Sequence, residues 1–143
     1  MSFLLDTNVV SEWVKPAPDP NVVRWLSEVD EDQVFLSVAS LAEIRRGIEL
    51  MDAGTRRDRL TDWLNGELPF RFEGRLLDID RRTAESWGIV MARGHKAGLN
   101  LGSFDACFAA TADVHRLTLV TRNLQHFERL GIPLLNPWQA RQA

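Results

Sequence analysis

Residues 3–10 read FLLDTNVV, and the expected fold follows from this stretch. The three apolar residues at 3–5 have the length of a short buried strand. Asp6 follows them directly, and apolar residues then recur at helical spacing over 8–15 until the prolines of PAPDP break the pattern. A strand that leads straight into a helix is the repeating unit of an α/β domain.

The same alternation continues along the chain. Apolar runs predict strands at 34–36 and 117–121 and an edge strand within 132–138, where Pro133 cannot donate to a neighbouring strand. The segment 75–79 is either a further strand or the start of the next helix. Helical patterns cover 8–15, 21–29, 38–51, 56–65, 81–97 and 103–116. Strands that alternate with helices predict a mainly parallel central sheet with helices on both faces.

Length and composition indicate one ordinary globular domain. The 143 residues are 45% hydrophobic and 26% charged, with a net charge of −3, so we expect a single domain over 1–143 in which 140–143 fray. Cys107 is the only cysteine, which excludes an internal disulfide and a multi-cysteine zinc site and favours a cytoplasmic location. We expect no signal peptide, because an acid stands at position 6, and no membrane span, because no apolar run is long enough.

Polar residues follow two of the predicted strands where those strands end. Asp6 comes directly after 3–5, and the strand at 117–121 runs through Thr121 into Arg122 and Asn123. In a parallel sheet, ligands bind beyond the carboxyl ends of the strands. The two segments therefore predict a site at that edge of the sheet. The alternative for Asp6 is structural, because aspartate is also a favoured N-cap of a helix.

Glu43 is the second candidate acid. It ends the sequence SLAE at 40–43, which matches a helix capping box. However, Ser37 directly follows a predicted strand and is the better cap, since such connections are short, and this places Glu43 in the second turn of the helix. Gly47 lies four residues further along the same face, where the missing side chain leaves room for a carboxylate to meet its neighbours.

Asp105 is the third candidate acid. It lies in the first turn of the helix at 103–116, behind a predicted Ser103 cap, so a favourable interaction with the helix dipole is the structural alternative. Ala109 and Ala112 share its face. An acid at the head of a row of small residues indicates a helix packed closely enough for Asp105 to approach other carboxylates.

Asp6, Glu43 and Asp105 come from three separate elements, and their charges repel one another if they meet. A bound cation relieves that repulsion, and ligands that are all oxygen favour Mg²⁺ or Mn²⁺ over zinc or copper. Such an ion can activate water and stabilise the transition state of phosphoryl transfer. The three acids therefore suggest a divalent-metal site.

Five segments occur in a fixed order along nearly the whole chain: LLDTNVVSE, LSVASLAEIRRGI, FDACFAATA, LTLVTRNLQHF and NPW. Together they resemble PIN-domain proteins, specifically the VapC/FitB-type toxins of bacterial type II toxin–antitoxin pairs. The resemblance implies a PIN-like, Rossmann-like three-layer sandwich. It also implies a ribonuclease that uses Mg²⁺, with Mn²⁺ as a possible substitute, to hydrolyse RNA phosphodiester bonds.

The resemblance also assigns roles to individual residues. The catalytic residues, of which the first three also bind the metal, are Asp6, Glu43, Asp105 and Asn123. The small polar residues that support them are Thr7, Asn8 and Thr121. Arginine carries nearly all of the positive charge, because Lys15 and Lys96 are the only lysines, and its planar fork suits phosphate. Arg122, beside the predicted site, and Arg46 are therefore candidates for contacts with RNA.

The partners implied by the resemblance are an RNA substrate, a second copy of the chain in a homodimer, and a VapB-like antitoxin in a hetero-oligomer. The C-terminal segment of such an antitoxin is expected to cover the acidic edge and to insert a basic side chain there. One departure precedes Asp105. The family usually approaches this acid through a loop with proline, whereas this chain reads LNLGSFDACFAA without one.

Two other functions stay open at this point. One is an aspartyl-phosphate phosphohydrolase or phosphoacceptor with Asp6 as nucleophile. Against it, Asn8 stands where related phosphatases usually have a second aspartate, and VTRN lacks the lysine that phosphoacceptor domains need. The other is a non-catalytic binding module on the same fold, which the intact set of acids argues against.

Overall fold

Five parallel strands form the central sheet in the order β3-β2-β1-β4-β5. The computed structural model describes residues 1–139. Its strands are β1 (Phe3–Leu5), β2 (Val34–Ser37), β3 (Leu76–Leu77), β4 (Thr118–Val120) and β5 (Leu134–Leu135). The predicted parallel sheet is confirmed, and 75–79 contains a true edge strand. The expected fraying of 140–143 lies outside the described residues.

Helices cover both faces of this sheet. They are α1 (Thr7–Val10), α2 (Pro20–Glu28), α3 (Val38–Glu49), α4 (Thr55–Asp62), α5 (Leu68–Arg71), α6 (Arg81–Lys96), α7 (Ser103–His115) and α8 (Leu124–Phe127). Three 3₁₀ turns lie at Ser11–Val14, Glu31–Gln33 and Glu128–Leu130, and a π-helical turn at Trp63–Glu67 joins α4 to α5. Within residues 1–139, no helix combines the length and the apolar character needed to cross a bilayer.

Two hydrophobic cores explain the three layers. Leu4 and Leu5 of β1 are both fully buried, but Leu5 packs with Val9 and Ile44 whereas Leu4 packs with Val90 and the helix α7. Successive residues of a strand point to opposite faces. The central strands therefore have apolar residues at consecutive positions, as strands buried on both faces require.

The helix starts agree only in part with the sequence. Ser37 caps α3 as predicted, because its hydroxyl accepts a hydrogen bond of 3.0 Å from the amide of Ala39. The prediction of a Ser103 cap for α7 is wrong. Ser103 is the first residue within the helix, and Gly102, with extended backbone angles, occupies the cap position without any side chain. Asp105 still lies in the first turn, because the helix begins at the predicted residue.

The strand order reverses beside β1. The chain adds β2 and β3 on one side of β1 and then crosses to add β4 and β5 on the other. In open parallel sheets, this switch point is where the loops diverge and leave a crevice for ligands. The residues that follow β1 and β4 are Asp6 and Thr121, so the fold places both at the crevice.

Candidate active site

Asp6 directly follows β1, at the switch point of the strand order. Its amide donates to the carbonyl of Val120 (2.9 Å), which extends the pairing of β1 with β4 by one residue. The side chain is 4% exposed, and although Asp6 occupies the N-cap position of α1, its carboxylate accepts no capping hydrogen bond there. Asp6 thus ends the strand at a helix start, but its carboxylate is turned to other groups.

Thr121 is the main hydrogen-bond partner of Asp6. Its fully buried hydroxyl donates to Asp6 Oδ2 over 2.7 Å and also accepts a bond of 3.1 Å from the amide of Asn123. One hydroxyl therefore connects the end of β1 to the turn after β4. The supporting role expected for Thr121 corresponds to this direct contact.

The pKa of Asp6 is raised from 3.8 to about 6. Burial is the largest cause, since it disfavours the charged form, and the bond from Thr121 acts in the opposite direction. The negative charges of Asp105 and Glu43 raise the pKa of Asp6 further. The structure therefore brings all three predicted acids within electrostatic reach, although burial contributes more than their mutual repulsion.

Asp105 lies in the first turn of α7, near enough to Asp6 to raise its pKa. Its Oδ2 lies 2.8 Å from Nδ1 of His126, a residue of α8. The side chains are 20% and 49% exposed respectively. Sequence reasoning missed this histidine, because nothing local distinguishes His126 from His95 or His115. The sequence did offer one indication of its role. His126 follows Asn123 by three residues, and Asn123 was already part of the predicted site.

Glu43 lies on α3 and is half-buried, and it lines the same groove as Thr7. The Thr7 hydroxyl is 2.9 Å from the hydroxyl of Ser40 in a fully enclosed contact between α1 and α3. This bond fixes the helix that carries Glu43 against the helix that follows Asp6. The side chain of Thr7 thereby supports the position of both acids.

The remaining predicted residues are placed less uniformly. The side-chain oxygen of Asn8 is buried and has no hydrogen-bond partner within residues 1–139. Asn123 lies at the N-terminal end of α8 without a side-chain cap. Arg122 is exposed beside it, with its guanidinium 5.3 Å from the ring centre of Trp138. Arg46 is exposed in the last turn of α3, and the structure shows it in no hydrogen bond or ion pair with the acids.

The donor set is chemically suited to a hard divalent ion. Magnesium is commonly held by one or two carboxylates, with water and phosphate oxygens as its other ligands. Asp6 and Asp105 offer such carboxylates at one crevice, and Glu43 is near enough to affect Asp6. In the described residues, no three His, Cys, Asp or Glu side chains converge as a ready-made metal cluster. Two carboxylates fit magnesium when water or phosphate oxygens occupy its other coordination positions. Within residues 1–139, protein side chains alone do not form a complete set of ligands.

A groove leads away from the acids between α3 and α4, which we call the α3–α4 groove. It is defined by Glu43, Gly47, Ile48, Leu60 and Trp63 and has a volume of about 290 Å³. Gly47 has no atom within 4 Å of where a side chain would begin, so the wall is open there. Lys15 and Arg56 also line this groove, and with Arg59 they line its continuation.

Comparison with known proteins gives consistent results. A profile of the PIN domain family matches residues 3–133. The chain is 36% identical to the VapC ribonuclease Y4jK of Sinorhizobium fredii, over 96% of this chain and 98% of that protein. It is 34% identical to the toxin FitB of Neisseria gonorrhoeae, over 95% and 98% respectively. The crystal structure of FitAcB from Neisseria gonorrhoeae superimposes with a TM-score of 0.88 at 33% identity, over 96% of this chain and 99% of that one.

Proposed function

We propose that this chain, which belongs to the PIN-domain family, is a metal-dependent endoribonuclease and the toxin of a toxin–antitoxin pair. The observation that carries the proposal is the position of Asp6. It is buried at the switch point of the sheet, its pKa is raised, and two further acids from other elements contribute to that shift. The name of one relative, a VapC ribonuclease, supports the reaction class, and the name of the other, the toxin FitB, supports the role as a toxin.

The residues would divide the work as follows. Asp6 and Asp105 would hold a Mg²⁺ ion, or Mn²⁺ in its place, and Glu43 would complete the ligand set directly or through water. When bound there, a divalent ion activates water and neutralises charge on the phosphodiester. Asn123 would orient water or substrate without adding another negative charge. Thr121 fixes the Asp6 carboxylate, because its hydroxyl donates to Oδ2, and the backbone amide of Thr7 also contributes a hydrogen bond.

Cleavage of a labelled RNA pool tests this proposal. The purified chain should cut RNA with Mg²⁺ or Mn²⁺ and stop when excess chelator is added. Asp6→Asn and Asp105→Asn should slow cutting by about 100-fold or more, because the metal's contribution to the transition state is worth several kcal/mol. Asp113→Asn, an exposed acid at the other end of α7, is the control and should cut normally.

Undiminished cutting in chelator would reject the metal-dependent reaction. Covalent phosphate on Asp6 after incubation with a small phosphate donor would instead support the aspartyl-phosphate alternative. Sequencing the ends of the cut RNA would then identify the target, which the fold does not specify.

The proposed partner is a VapB-like antitoxin in a hetero-oligomer with this chain. The toxin FitB and the FitAcB structure support the pairing, and the α3–α4 groove offers it a surface. The groove is mainly apolar and starts at Glu43, so an extended segment with apolar side chains and one basic end matches it. Expression of the chain alone should arrest growth, whereas Asp6→Asn should not. Equal growth with both forms would contradict the toxin role.

A further inference from the structure

A second pocket lies next to Asp105, which contacts His126 of its lining, and it shares Asn123 with the catalytic set but none of the three acids. It has a volume of about 330 Å³ and lies between the turn that follows β4 and the segment that follows β5. We call it the α8 pocket. The residues of its lining that carry polar groups are Arg122, Asn123, Gln125, His126, Glu128, Asn136 and Gln139. Its volume is at the lower end of the range for ligand pockets, about 300–1,000 Å³.

The lining has the chemistry of a site for a sugar phosphate. Arg122 supplies a positive charge, and its position over the ring of Trp138 limits its freedom. The side-chain oxygen of Asn136 accepts from the amide of Trp138 (2.9 Å), so its NH₂ group remains for a ligand. Gln125 is exposed and offers both a donor and an acceptor. Glu128 is an acceptor that a hydroxyl group can satisfy and a phosphate cannot.

His126 connects this pocket to the acids. Nδ1 of His126 lies 2.8 Å from Asp105 Oδ2, and we assign the tautomer in which Nδ1 donates, because a carboxylate that holds a metal ion only accepts hydrogen bonds. The second ring nitrogen, Nε2, has no hydrogen bond within residues 1–139, and the side chain is half-exposed. One edge of the ring is therefore occupied by a catalytic acid, while the other edge is available to a ligand.

We infer that the α8 pocket binds one nucleotide of the RNA substrate, and that His126 positions Asp105 while its free edge contacts that nucleotide. The inference rests on the proposed ribonuclease function and adds a place for the chain of RNA next to the cleaved phosphate. Arg122 contacts the phosphate, and the amides with Glu128 contact the ribose and its hydroxyls. His126 is a positioning residue for Asp105 and a binding residue for RNA.

Two substitutions of His126 separate its two roles. In His126→Asn the side-chain NH₂ lies near the place of Nδ1, so the bond to Asp105 is kept and the contact to RNA is lost. In His126→Gln the NH₂ lies near the place of Nε2, so the contact to RNA is kept and the bond to Asp105 is lost. Arg122→Gln removes the charge from the pocket independently of the histidine. His115→Gln, ten residues along α7 from Asp105 and roughly 15 Å away, is the matched control, together with Arg81→Gln.

Binding is measured with a short fluorescein-labelled single-stranded RNA in chelator, so that nothing is cut. Loss of one hydrogen bond should raise the Kd of His126→Asn by about five- to tenfold. Arg122→Gln should weaken binding similarly and lower the slope of log Kd against log salt by about one. The two controls should bind RNA as the wild type does.

Metal binding is followed separately from activity, by the rise in Tm on adding Mg²⁺ or Mn²⁺. His126→Gln should need about tenfold more metal for the same rise, since residues that orient a ligand affect affinity to this extent. His126→Asn should respond as the wild type does. This opposite pattern in the two assays is not expected from a histidine that only supports the fold.

Each outcome decides a separate point. If wild type binds and cuts RNA but His126→Asn and Arg122→Gln bind it with unchanged Kd, the pocket is not a nucleotide site and the ribonuclease proposal stands. If wild type neither binds nor cuts RNA, both proposals fail. Should His126→Asn not fold, as judged by its melting curve, Arg122→Gln and Gln125→Ala on the exposed turn decide the matter alone.

Discussion

At the scale of single residues, the charge of Asp6 opposes folding. The carboxylate is buried, and Thr121 and an amide offset only part of the cost of removing it from water. In the unfolded chain the same group is solvated and ionises with a pKa of about 3.9. The site therefore reduces the stability of the protein without metal, as expected where a function requires a buried charge.

The pH dependence of folding should show this cost. Between the unfolded pKa and the folded value of about 6, the folded state binds the extra proton, so the free energy of unfolding falls as pH rises through this window. The full effect is about 3 kcal/mol. Urea unfolding in chelator at pH 4.5 and pH 7.5 measures it, and Asp6→Asn should be more stable than wild type at the higher pH.

The control for this measurement is Asp113→Asn, which changes an exposed acid and should leave the pH dependence of wild type intact. Saturating Mg²⁺ should remove most of the stability difference between Asp6→Asn and wild type at high pH. It stabilises the folded wild type by roughly 2–3 kcal/mol at a hundredfold excess over its Kd, and Asp6→Asn should lose most of this gain. A less stable Asp6→Asn in chelator would mean that the carboxylate is structural.

At the scale of secondary structure, α7 ends in a strained residue. Arg116 forms its C-cap with φ of 55°, the only positive φ among the non-glycine residues that the structure describes. The chain must reverse there, because Leu117 donates back to the carbonyl of Ala112 and β4 starts at once. A left-handed conformation costs a residue with a side chain about 1–2 kcal/mol.

Arg116→Gly should therefore stabilise the protein. Relief of the strain exceeds the extra entropy that glycine loses on folding, so we expect a net gain of about 0.5–1 kcal/mol. Arg24→Gly, an exposed position inside the right-handed helix α2, should instead cost about 1 kcal/mol. Chemical unfolding of the two variants beside wild type checks both. Destabilisation of similar size in both would show that Arg116 makes a contribution larger than its strain.

The segment after α4 shows where periodicity alone is insufficient. Helical spacing predicted a single helix at 56–65, but the chain continues through the π-helical turn at Trp63–Glu67 into α5. Trp63, Leu64 and Leu68 all become buried in this way. In a regular α-helix Trp63 and Leu68 would lie roughly 140° apart around the axis. The wider π-helical turn brings them closer together on the buried side, and local spacing did not predict it.

At the scale of the whole molecule, the expected homodimer needs a surface. On α6, Ile89 is 53% exposed, and the preceding residue, Gly88, has open space where a side chain would begin. Gly88 and Ile89 lie at the middle of the helix. An antiparallel pair of α6 helices centred there places Glu85 of one copy beside Arg93 of the other, twice by symmetry. This face is therefore self-complementary.

Light scattering should give twice the 16.3 kDa mass of the chain. Ile89→Glu should shift the mass toward a monomer, because it places two like charges at the centre of the contact. Phe70→Glu, which changes a residue that is 78% exposed on α5, should leave the dimer intact. A dimer that persists in Ile89→Glu would place the interface on another face.

The sequence predicted correctly those features that depend on residues close to one another along the chain. The strand at 3–5, the break at PAPDP and the Ser37 cap were all predicted correctly, because each follows from backbone preferences and side-chain periodicity within a few residues. The same local pattern placed Asp6 and Thr121 at the carboxyl ends of strands. The prediction that Ser103 caps α7 was wrong. Gly102 and Ser103 are adjacent, and a helix that starts after either residue has a similar energy, so local preference did not decide between them.

Only the tertiary structure decided which strand ends meet. That β4 lies beside β1 brings Thr121 to Asp6 across 115 residues of sequence, and the packing of α8 against α7 brings His126 to Asp105. The pKa of Asp6 likewise depends on burial by the assembled layers. The sequence by itself determined the elements and the residues at their ends. The tertiary structure decided their neighbours, because strand order and burial depend on many weak contacts summed over the whole chain, and no local segment contains that sum.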